Sequence, residues 1–152
     1  MINRIDTRFV EASPTVDTAI YASGDLIGGK LTFNAALSDQ VNTGELRAVH
    51  VFDKSKQSAN LLLVLFSSDP TGTTFTDQAA FDPADADLDK IVAIISITSH
   101  AAFSDNGVSY AADLARPLKG TSRIMYGALV SAATPTYAAG TDVKVRLSLI
   151  GD

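Results

Sequence analysis

A glycine, four residues, a second glycine and a lysine stand at 24–30, in the run GDLIGGKLT. That spacing outlines a phosphate-binding loop, whose backbone amides cradle phosphate oxygens and whose lysine reaches the terminal phosphates. Two further requirements fail. Leu31 stands where a hydroxyl should hold magnesium, and the segment that should open a helix alternates like a strand through Leu31, Thr32 and Phe33. These glycines are therefore expected at turns or bulges that flank strand segments.

The carboxylates pose a second question. Asp85, Asp87 and Asp89 imitate the first three ligand positions of a calcium loop. Lys90, however, stands where such a loop needs glycine, and Ser96 where it needs a glutamate. The simpler expectation is capping and solubility, with Asp82 as an N-cap before Pro83, and Asp77 capping a turn over 78–80. His50 and His100 are the 2 histidines, and their separation matches no zinc spacing. Ser99 and His100 are simply adjacent, and no G-x-S-x-G elbow occurs. With Cys 0, thiolate nucleophiles, disulfides and thiolate metal sites are excluded. The sequence thus leads us to expect no catalytic residues, no metal and no cofactor.

The elements that would position such groups repeat with a period of two. In DVKVRLSLI, Val143, Val145, Leu147 and Leu149 point one way, while Asp142, Lys144, Arg146 and Ser148 point the other. RAVHVFD at 47–53 and IVAIISIT at 91–98 are rich in β-formers, with His50 on the face opposite Val49 and Val51. NLLLVLFSS at 60–68 is apolar on both faces, as a central strand is, and RIMYGALVS at 123–131 is a further strand. Weaker signals lie at 2–10, 18–22, 30–35 and 107–112. The aromatics are spread singly, and most are expected in the core.

This reading gives an all-β chain, an antiparallel β-sandwich of jelly-roll type, with about eight or nine short strands. One long Asp-rich loop, at 67–90, carries short helical turns. Residues 1–14 are expected to form an N-terminal arm or an edge strand, and 15–152 a single sandwich domain. With 46% hydrophobic and 19% charged residues, the chain has ample apolar surface for one core. No apolar run approaches the roughly 18 residues of a membrane span, and MINRIDTRFVEAS lacks the apolar region of a secretory signal. A net charge of −5, with basic residues scattered singly or in pairs, argues against nucleic acid.

Three stretches carry a resemblance: TVDTAIYASGDLIGGKLTF, LLLVLFSSDPTGTTFTDQAAFDPADADLDKIV and IMYGALVSAATPTYAAGTDVKVRLSLIGD. They resemble a group of small proteins encoded among the structural genes of tailed bacteriophages and prophages. The group is linked to head decoration, or cementing, proteins with a jelly-roll fold. The resemblance implies a virion structural protein on the outer capsid surface, made in the host cytoplasm. Its partner would be the major capsid protein, with further copies of itself in a homo-oligomer, and neither nucleic acid nor membrane. A neck, tail or fibre component, or a carbohydrate-binding sandwich, is the alternative. Arg4, Ile5, Arg8 and Phe9 are the partner-contact candidates. They lie on a segment that either adds a strand to a neighbour or forms an ordinary sheet edge.

Overall fold

Alternation in the last strand sets the layers. Val143, Val145, Leu147 and Leu149 turn inward and are buried, while Lys144 and Arg146 lie half-exposed on the other face. We describe residues 6–151 in a computed structural model. Ten strands follow in chain order: β1 (Asp6–Ala12), β2 (Leu31–Phe33), β3 (Thr43–Asp53), β4 (Leu61–Phe66), β5 (Ile91–Ile97), β6 (Ser99–Ala102), β7 (Gly107–Ala111), β8 (Arg116–Lys119), β9 (Met125–Ser131) and β10 (Val143–Gly151). A 3₁₀ turn, Asp85–Lys90, precedes β5.

The strands form a 6-stranded sheet, ordered β1-β10-β3-β7-β6 with β8 also beside β3, and a 4-stranded sheet, ordered β2-β9-β4-β5. Every pairing is antiparallel. Without the short β6 and β8, the strands run first, last, third, sixth in one sheet and second, seventh, fourth, fifth in the other. Apart from β4 and β5, which are neighbours in the small sheet, successive strands of this set cross between the sheets, as two interlocked Greek keys do. The fold is a jelly roll.

The main core fills the space between the sheets, around Leu63, Ile95, Val49, Val51 and Leu147. A second cluster lies on the outer face of the small sheet, where Val64 and Phe66 of β4 meet Ala128 and Val130 of β9. Phe75 and Phe81 of the 67–90 loop pack on it, so the loop is a lid over that sheet. This explains why β4 is apolar on both sides: one faces the core and the other the lid. Full burial of a side chain such as Phe66 contributes about 1.5–3 kcal/mol.

Buried polar groups hold the lid in place. The Asp87 carboxylate accepts from Thr73 Oγ1 at 2.7 Å and from Lys90 Nζ at 2.7 Å. Asp77 accepts from the Tyr21 hydroxyl and from the Gly28 amide, both at 2.7 Å, and so ties the lid to the glycine-rich segment. Asp77 therefore does not cap a local turn as expected. Nor is Asp82 an N-cap: Ala84 holds that place, without a side-chain cap, and its amide donates to Thr73 Oγ1 at 3.0 Å. The turn begins two residues later than the sequence pattern suggests because Thr73, distant in sequence, satisfies the free amide.

Other expectations shift as well. Residues 18–22 form no strand, although Tyr21 is fully buried and its amide bonds to Pro135 O at 2.9 Å. Gly24 and Gly28 have φ of 96° and 74°, as turn glycines do.

Candidate functional site

The outer face of the large sheet carries no buried hydrophobic cluster among the described residues. Register aligns its side chains in rows. Glu11 of β1, Arg146 of β10, His50 of β3, Tyr110 of β7 and Ser99 of β6 share one row. Lys144, Phe52 and Val108 share the next. Cross-strand neighbours of this kind stand close enough to interact.

The rows make an aromatic and cationic platform. The Arg146 guanidinium lies 4.8 Å from the Phe52 ring centre and 5.4 Å from that of Phe9. Lys144 Nζ sits 5.6 Å from the Phe52 centre. His50 stacks on Phe52 at 6.3 Å and on Tyr110 at 6.4 Å. Glu11 Oε2 bridges the two cations, 3.1 Å from Lys144 Nζ and 3.4 Å from Arg146 Nη2. The hydrogen bond from Lys144 is the main cause holding the Glu11 carboxyl below its usual range, with Arg146 adding to it. Burial, and then the Arg146 charge, lowers the pKa of His50, which favours the neutral ring. His50 Nδ1 and Arg146 Nε are buried without a hydrogen-bond partner.

A depression of about 200 Å³ opens at one end of the platform, lined by Ser13, Phe52, Lys54, Thr141, Asp142 and Lys144. The Asp142 carboxylate is fixed by Ser55 and by the Ala139 amide, and the Ser55 hydrogen bond is the first cause of its lowered pKa. The arrangement can bind by stacking, charge and hydrogen bonding.

The sequence candidates are scattered. Arg4 and Ile5 lie outside the described residues. Phe9 points outward on the platform and is 64% exposed. Its neighbour Arg8 points inward, where Nη1 donates to Leu37 O at 3.1 Å. Lys30 is engaged by Asp69 Oδ1 at 2.6 Å and lies over the Tyr126 ring. His100 forms a line with Ser109 Oγ at 2.7 Å and Asn60 Oδ1 at 2.9 Å. Ser109 faces the core beside Val51 and is buried, so this line ties β6, β7 and the start of β4 together. Among the described residues no group of three or more His, Asp or Glu could hold a metal ion.

Sequence reasoning missed the platform itself, having assigned most aromatics to the core. The signal was present in part: His50 and Phe52, like Lys144 and Arg146, occupy the outward phase of their strands. Only the register brings the two pairs together.

No protein-family model matches the sequence, and no curated protein matches it. Among solved structures, the chain is similar to one titled "Structure of infectious bursal disease virus Gx strain", with a TM-score of 0.40 and 11% identity. That match covers 97% of this chain and 32% of the viral one, so this chain spans about a third of it. A second, "Israeli acute paralysis virus heated to 63 degree - full particle", has a TM-score of 0.29 and 13% identity, over 96% of this chain and 67% of that one. At such scores the likeness decides nothing about function.

Proposed function

We propose that the chain is a virion structural protein without turnover of its own, a decoration or cementing protein on the outside of a tailed-phage head. The observation that carries this reading is the one-sidedness of the sandwich. The chain covers the outer face of its small sheet with its own lid, yet leaves the large sheet bearing Phe9, Phe52, His50, Tyr110, Lys144 and Arg146 open. Aromatic residues and arginine at the centre of a patch are the groups that dominate protein–protein contacts. The resemblance to phage structural proteins, and a rigid β scaffold, support the same reading. The partner is the major capsid protein, and many weak contacts on a repeating shell add up through avidity.

Quantitative mass spectrometry of virions of the source phage tests this. A fixed ratio to the major capsid protein, in large copy number, is expected. A few copies per particle would move the protein to the neck, tail or fibre, and absence from particles would overturn a virion role.

The depression beside Phe52 favours a second reading, a carbohydrate-binding sandwich, because an aromatic edge next to Ser13, Thr141 and Asp142 suits a sugar. A glycan array in which the intact chain gives specific signals, lost on Phe52→Ala, would establish it.

A further inference from the structure

The two sheets leave five edges, and four are guarded. β1 carries Asp6, Arg8 and Glu11; β8 carries Arg116, Pro117 and Lys119; β2 is only 3 residues long and β6 only 4. Charges, proline and short length are the usual protections against edge-to-edge pairing. The fifth edge, β5, has none. Its sequence IVAIISI holds 7 residues without charge, proline or glycine, all β-branched or small. Its only strand partner is β4, and beyond that pairing and the bond from the Ile91 amide to Leu88 O, no backbone hydrogen bond to residues 91–97 occurs among the described residues. The free amides and carbonyls along its other side form a template for an added strand.

We infer that β5 is a self-docking edge, pairing antiparallel with the β5 of a second copy about a two-fold axis through Ile94. Ile94 is the middle residue of Ile91–Ile97 and is 49% exposed. An antiparallel pair centred there sets Ile94 against its twin and Val92 against Ser96, so the strand is its own complement. The apolar side chain now left in water is then buried by its symmetry mate. Leu88, on the 3₁₀ turn that leads into β5, is 51% exposed and flanks the same contact. The 4-stranded sheet becomes a continuous sheet of twice that width. A single pair of short strands buries less than the ~1,200 Å² of a stable interface, so the dimer is weak and concentration-dependent in solution.

The contact is a property of the isolated chain and holds whatever surface the platform meets. Sedimentation velocity over rising concentration tests it on the full chain. Wild type is expected to shift from monomer to dimer, while Ile94→Lys stays monomeric with an unchanged melting temperature. Val41→Lys, at an exposed position elsewhere, keeps the dimer. The chain has Cys 0, so Ile94→Cys supplies a unique thiol, which a short bismaleimide should join between copies. Monomer alone at about millimolar concentration, or a dimer that Ile94→Lys leaves intact, overturns the proposal.

Discussion

Arg146 is held between two rings, its guanidinium 4.8 Å from the centre of Phe52 and 5.4 Å from that of Phe9, while Glu11 Oε2 approaches its Nη2 at 3.4 Å. Three strands supply this cluster, and β10 is the middle one. The arginine is thus preorganised on the surface before any partner arrives, which lowers the entropy lost on binding.

Under the proposed decoration role, removing that order is expected to weaken docking without unfolding the chain. A cation–π contact is worth about 0.5–1 kcal/mol when exposed and about 2 when desolvated by a partner. Arg146→Ala and Phe52→Ala are each expected to lower affinity for capsids about 5–30-fold. Arg146→Lys should recover little, because the flat guanidinium stacks on a ring and an ammonium does not. Titration of add-back binding to particles that lack the protein measures this, with melting curves as the check on folding.

Acid should loosen the lid first. Asp87 is held below its usual value of 3.8, chiefly by the hydrogen bond from Lys90 and then by that from Thr73. A depressed carboxyl stabilises the fold in full above its unfolded value and loses that contribution as pH falls through the lower folded one. Stability from this group is therefore flat from pH 7 to about 5 and declines below pH 4. Asp87→Asn should lower the melting temperature at pH 7 and flatten its fall in acid, as followed by thermal melts across pH.

The three glycines of GDLIGGKLT are expected to differ sharply. A Cβ on Gly28 would sit 2.4 Å from Pro14 Cβ, at a φ of 74°. Gly24 has a φ of 96° but meets nothing within 4 Å, and Gly29 has neither constraint. Gly29→Ala should be neutral, Gly24→Ala should cost about 1 kcal/mol, and Gly28→Ala about 3 or more. Urea unfolding of the three variants gives the order directly.

The lid and the small sheet should fail together. Phe66 is fully buried in the second cluster, and Phe81 packs on that cluster from the loop. Phe66→Ala is expected to destabilise by about 3–5 kcal/mol. Phe81→Ala should cost less, since that ring is only partly buried, yet it should speed amide exchange in the 67–90 loop ahead of the large sheet. Hydrogen exchange read by mass spectrometry separates the two effects.

The strands that the sequence made legible are those with one dry and one wet face. Val143, Val145 and Leu147 alternate with Lys144, Arg146 and Ser148, and β10 stands where that pattern put it. The run 60–68 was apolar on both sides, which marked β4 as central but could not say that a loop, and not another sheet, covers one side. β6 and β8 carry SHAA and RPLK, too short to show a period, so they went unseen. The run 18–22 has strand-like residues, yet Tyr21 is anchored by side-chain and loop bonds that no local pattern encodes. The platform was illegible for a related reason. Its residues come from β1, β3, β7 and β10, and periodicity fixes a residue's face but not its cross-strand neighbour.

The position of β10 between β1 and β3 governs how the chain can reach this structure. Glu11 and Arg146, 135 positions apart, must meet before the first strand has a partner. During synthesis, β1 and the β10-facing side of β3 wait unpaired until 143–151 have left the ribosome. Contacts of such long sequence separation slow folding, into the milliseconds-to-seconds range typical of all-β domains. Removing those last residues would therefore leave two strands exposed to other nascent chains, instead of a slightly smaller domain.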